Sequence, residues 1–142
     1  MRILFDTNVL LDFVLERSPF WEEASTLLTA VATERIQGIA TATTITDIFY
    51  VVRRQTKSDD IALNAIQDIL ALLDIARVDR STLEQAIALA LPDFEDAVQC
   101  AGAIAELADA IVTRDSRGFQ GSPLTVYSPA QLCHYIASLP PR

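Results

Sequence analysis

Asp6, Asp47, Asp96 and Asp115 are the side chains in this sequence best suited to chemistry, because each falls where an apolar run breaks. Asp6 closes "ILF" and is followed at once by Thr7 and Asn8. Asp96 belongs to "DFEDAVQ", with Asp93 one helical turn before it, and Asp115 ends "IVTRD" behind Thr113 and Arg114. Two carboxylates about 4 Å apart repel by roughly 4 kcal/mol at an effective dielectric near 20. If the four acids converge, they need a counter-charge. A hard divalent cation supplies one: Mg²⁺ takes oxygen ligands and needs only one or two carboxylates. One or two such ions would turn a repulsive cluster into a phosphate-binding centre. Each acid also has an ordinary structural use. Asp6 can cap a helix, Asp47 can favour a helix N-terminus, and Asp115 can sit in a turn.

The elements that must position these acids follow from the hydrophobic periodicity. Strands are expected at Arg2–Phe5, Ile36–Thr41, Ile75–Val78, Ala110–Asp115 and Leu124–Ser128. Between them lie helical patterns: Val9–Leu15, "SPFWEEASTLLTAVATER" with Ser18 as cap, and "TTITDIFYVVRRQT" with Ile45, Ile48, Phe49 and Val52 inward. Asp59–Leu73 follows with Ser58 as cap and Ile61, Ala65, Ile69 and Leu72 inward, then "STLEQAIALAL", "DFEDAVQCAGAIAELA" and "PAQLCHYIASL". Strands alternating with helices argue for an α/β sandwich with a parallel sheet of about five strands and helices on both faces. Ligands of such sheets bind beyond the carboxyl ends of the strands, where the acids fall. With no linker or repeat, residues 1–142 read as a single domain.

Composition narrows the function classes. Of 142 residues, 51% are apolar, and no apolar run is long enough for a membrane span. Cys100 and Cys133 fit no metal spacing and no disulfide framework, so a reduced, cytoplasmic protein is expected. The net charge of −8 repels polyanions. A nucleic-acid substrate must therefore be drawn in by metal ions or by a local basic patch, for which Arg53, Arg54, Lys57 and Arg114 are the candidates. The sole histidine, His134, lies on the last helix, and no phosphate-cradling glycine loop is present.

The stretches "ILFDTNVLLD", "TD" at Thr46–Asp47, "DFEDAVQ" and "IVTRD" resemble, in order and approximate spacing, the motifs of the PIN domain family, and the resemblance spans nearly the whole chain. Within that family the chain is similar to the toxin-type group related to VapC-like ribonucleases. The resemblance implies a Rossmann-like sheet and metal-dependent cleavage of RNA, with Asp6, Asp47, Asp96 and Asp115 holding one or two Mg²⁺ or Mn²⁺ ions. It also implies supporting roles for Asn8 and Thr113, to which Asp93 is added by position, and a possible antitoxin partner. Two positions depart from the pattern. Asp47 stands where Glu is common, one methylene shorter. Gly118 stands where many relatives carry an acid, which implies weaker binding of a second ion.

A haloacid-dehalogenase-type hydrolase would want an acid at Asn8 and a lysine near the later motif, and the only lysine is Lys57. The stronger alternative is a PIN-like module that binds RNA or protein without cutting. Phe20, Trp21, Leu27, Leu28 and Val31 are expected to form a contact between subunits, giving a homodimer.

Overall fold

In the computed structural model, which describes residues 1–141, the chain begins with β1 (Arg2–Phe5), and this strand lies at the centre of the sheet. Its side chains alternate between two cores, as a strand covered on both faces requires. Ile3 and Phe5 pack with Leu10, Leu27, Ile48 and Ile69, whereas Leu4 packs with Ile39, Ile111, Cys100 and Phe119. After α1 (Thr7–Val14) and α2 (Trp21–Ala32), β2 (Gln37–Thr41) pairs with β1. The helices α3 (Ala42–Thr56) and α4 (Asp59–Leu72) follow, then the edge strand β3 (Asp74–Ala76). The chain next crosses to the other side of β1 through α5 (Arg80–Leu89) and α6 (Phe94–Ala105). It continues into β4 (Ala110–Val112), a 3₁₀ turn at Ser116–Phe119, β5 (Thr125–Tyr127) and α7 (Pro129–Ser138).

The sheet order is β3-β2-β1-β4-β5, parallel throughout, with Leu4 in register with Ile39 on one side and Ile111 on the other. The order reverses between β1 and β4. That reversal leaves a crevice beyond their carboxyl ends, because the connections leave in opposite directions there.

Local signals explain most boundaries. Ser58, Asp79 and Ser128 cap their helices by accepting from backbone N–H groups, the last two in reciprocal capping boxes. Five expectations are corrected. Ser18 does not cap α2: the helix starts at Trp21 with Phe20 at the cap and no side-chain cap bond. The third strand ends at Ala76, short of Val78, and the fourth ends at Val112. Ile61 faces solvent at 50% exposure, and Ala62 takes the inward position. Finally, Leu27, Leu28 and Val31 are buried in the core of their own subunit, where α2 covers the sheet beside α7. They cannot form a surface between subunits, and only Phe20 and Trp21 of that group reach solvent. No helix among the described residues is long and apolar enough to cross a membrane.

Candidate active site at the carboxyl ends of β1 and β4

Asp6 follows β1 directly and is almost fully buried. Four donors hold its carboxylate. Thr7 N–H and Gln99 Nε2 donate to Oδ1 at 2.6 and 2.9 Å, and Thr113 Oγ1 and Asn8 Nδ2 donate to Oδ2 at 2.6 and 3.3 Å. The cap and the chemical group are thus the same residue, since Asp6 also caps α1. The donors come from α1, α6 and the segment after β4. This convergence fixes the carboxylate's orientation, as outer-sphere partners do in metal sites. Asn8 also accepts from the Arg114 N–H at 3.3 Å through Oδ1.

Asp96 lies in the first turn of α6, whose cap is Asp93: Asp93 Oδ1 accepts from the Asp96 N–H at 3.0 Å. Burial, followed by the charges of Asp6, Asp93, Asp115 and Glu95, pushes the Asp96 carboxyl up to about 7. Gly118 packs against it. A Cβ at position 118 would collide with the Asp96 carboxylate and come within 3.0 Å of Asp93 Cβ. The space that an acid at 118 would use is taken by Asp96.

Asp115 stands three residues beyond the end of β4 and caps the 3₁₀ turn. Arg117 grips it with two bonds of 2.9 Å, which holds its carboxyl at about 2. Asp47, a turn and a half into α3, has its carboxyl raised by burial and borders a cavity shared with Thr7 and Gln99. Asp96 therefore feels the charges of Asp6 and Asp115, while Asp47 stands at the neighbouring cavity.

Two residues that the sequence motifs did not single out are central. Gln99 bridges the acids, reaching Asp6 at 2.9 Å and Asp96 Oδ1 at 3.5 Å, and its Oε1 accepts from Thr44 Oγ1 at 3.4 Å. Its position three residues after Asp96, on the same helix side, was the available signal. Asp12 is buried and accepts from Arg114 through Nε and, at 3.1 Å, through Nη2, with Arg17 at 3.9 Å. The Phe20 ring lies 4.0 Å from the Arg114 guanidinium carbon. Arg114 is thus paired with Asp12 and stacked on Phe20, and it ties the segment holding Thr113 and Asp115 to α1. Arg53 is paired with Asp59 at 3.0 Å. With Arg54, Lys57 and Tyr50 it lines a groove of about 740 Å³ at the α3–α4 corner.

Whether these residues suit a metal ion can be judged from their donors. All are oxygen ligands of the hard kind that Mg²⁺ and Mn²⁺ prefer. The raised Asp96 carboxyl reflects buried, crowded negative charge. Among the described residues, no three His, Cys, Asp or Glu side chains are grouped to hold an ion as they stand. Mg²⁺ binds through one or two carboxylates with water completing its shell, so Asp6 and Asp96 fit it.

In sequence, no curated protein matches the chain. In structure, it is similar to VapBC2 from Rickettsia felis bound to a promoter DNA fragment (16% identity, 90% of this chain and 98% of that one, TM-score 0.67). It is also similar to a toxin–antitoxin complex from Klebsiella pneumoniae (24% identity, 89% and 97%, TM-score 0.66). A third match is Mycobacterium tuberculosis VapC20, described as a sarcin–ricin loop cleaving toxin (15% identity, 87% and 96%, TM-score 0.68). These likenesses establish the fold. The family model for the PIN domain matches residues 2–117, and the chain therefore belongs to the PIN domain family.

Proposed function

We propose that residues 1–142 act as one domain, a cytoplasmic Mg²⁺- or Mn²⁺-dependent ribonuclease that hydrolyses RNA phosphodiester bonds and serves as the toxin of a toxin–antitoxin pair. The observation that carries this reading is the Asp6 carboxylate, buried at the sheet's reversal point and held by four donors beside Asp96 and Asp115. Capping α1 does not by itself require the carboxylate to be buried and crowded by other acids, and burying charge is costly. When bound, a divalent ion would neutralise charge on the phosphate and lower the pKa of a water. Asp6 and Asp96 would hold it, with Asp115 and Asp47 as the outer acids. Gln99, Asn8 and Thr113 keep Asp6 in one orientation, so the site is preorganised. Asp96, with its carboxyl near 7, can hold a proton when no cation is present and release it to one. Arg54 and Lys57 offer the RNA backbone two cations in the groove they share with the Arg53–Asp59 pair and Asp60. The toxin–antitoxin complexes among the structural neighbours support an antitoxin partner. Exposed Phe20 and Trp21 support a homodimer.

One set of observations favours the alternative, a PIN-like module that binds RNA or protein without cutting. Among the described residues no three acids close on one point, and Arg117 already pairs with Asp115. Metal titration separates the two. A nuclease should gain about 2.7 kcal/mol of stability at a metal concentration 100 times Kd and cleave single-stranded RNA only with Mg²⁺ or Mn²⁺. Identical melting with EDTA and with metal, and intact RNA, would establish the binding module.

A further inference from the structure

The cavity beside the acids plays no part in the chemistry above. It encloses about 350 Å³ between α3, α5 and α6, within the range of small-ligand pockets. Leu83, Phe94 and Val98 supply apolar walls, and Thr7, Asp47 and Gln99 supply polar edges. Phe94 is 53% exposed, although it opens α6 two residues before Asp96. Gln99 belongs to both places: it lines the cavity, and its amide donates to Asp6 at 2.9 Å. Whatever fills the cavity therefore lies one side chain from the acids.

An aromatic face, an apolar wall and hydrogen-bonding edges next to a phosphate site match what an unpaired base needs. Single-stranded RNA is held by stacking its splayed bases on aromatic rings and bonding their edges. We propose that this cavity is a base subsite, in which an unpaired RNA base stacks on Phe94 with its edge toward Asp47 while the adjoining phosphate lies at the acids. The proposal rests on the ribonuclease reading for its substrate. Preference at a stacking site follows stacking strength, so the larger purine ring of adenine is favoured over uracil.

The test compares binding of AMP, UMP and ribose 5-phosphate to the full chain by titration calorimetry with Mn²⁺ present. Stacking predicts that AMP binds about 5- to 150-fold more tightly than ribose 5-phosphate and more tightly than UMP. The ratio to ribose 5-phosphate should fall toward one in Phe94→Ala and survive in Phe94→Tyr. Because Phe94 is more than half exposed, Phe94→Ala should melt like the parent, and melting curves check this. A ratio near one in the wild type, or a ratio that survives Phe94→Ala, would overturn the subsite. Cleavage of RNA is scored separately. Its absence alongside a Phe94-dependent preference for AMP would remove the nuclease and leave the base site standing.

Discussion

Replacing Asp96 with asparagine should make the metal-free protein more stable, and the size of the gain can be worked from the site. Burial and four neighbouring acids move the Asp96 carboxyl from 3.8 to about 7. At 1.36 kcal/mol per unit this corresponds to about 4 kcal/mol. The group is partly exposed, so solvent screening reduces the figure to about 2 kcal/mol. A first-turn carboxylate also gains roughly 0.3–1 kcal/mol from the helix N-terminus, leaving a net gain of about 1–2 kcal/mol for Asp96→Asn. Between about pH 4 and 7 the native state binds more protons than the unfolded state, so wild-type stability falls as pH rises through that window. The cost is fully present above about pH 7 and absent below about pH 4. In EDTA at pH 8, Asp96→Asn should melt roughly 3–6 °C above wild type. The difference should shrink by more than half at pH 5. Saturating Mg²⁺ should reverse the order by stabilising only the wild type. Circular dichroism melts at the two pH values measure all of this. A variant that melts at or below wild type at pH 8 in EDTA, or by the same margin at both pH values, would refute the account of crowded charge.

Other substitutions probe the surrounding frame. Asp6→Ala removes the acceptor for four donors and should cost about 2–4 kcal/mol in urea unfolding, together with the whole metal response. Asp12→Ala leaves the partly buried Arg114 guanidinium unpaired and should cost about 2–3 kcal/mol, seen as an earlier urea midpoint. Leu27→Glu places a charge at a fully buried site and should cost more than about 4 kcal/mol, abolishing the cooperative thermal transition. Trp21→Glu, by contrast, should leave the core intact and split the proposed homodimer into monomers in light scattering.

The parallel sandwich and the ends of β1 could be read from the sequence because periodicity and caps act locally. Arg2–Phe5 and the Ser58 cap are examples in which a few neighbouring residues decide the outcome. That the strand ends and helix starts carrying Asp6, Asp96 and Asp115 share one edge was also legible, since those ends of a parallel sheet gather there. What escaped depends on pairings across long separations. Nothing near Asp12 announces that it will meet Arg114, 102 residues later. That meeting fixes where the Arg114 guanidinium lies. The apolar face of α2 likewise gives no sign, in sequence, of whether a sheet or a second subunit will cover it. Asp115 was placed at a strand end because "AIVTRD" has no breaker, yet the ladder stops at Val112 and a 3₁₀ turn begins.

The partners of Asp6 have a consequence for synthesis. Gln99 is 93 residues downstream and Thr113 is 107, and the central strand lacks one neighbour until residues 110–112 exist. At translation rates of 5–20 residues per second, about 5–20 s separate the appearance of Asp6 from that of its last donor. A nascent chain on the ribosome therefore carries the first acid without the frame that orients it. A protein able to cut the RNA around it would, by this arrangement, stay harmless to its own ribosome until the chain is nearly finished.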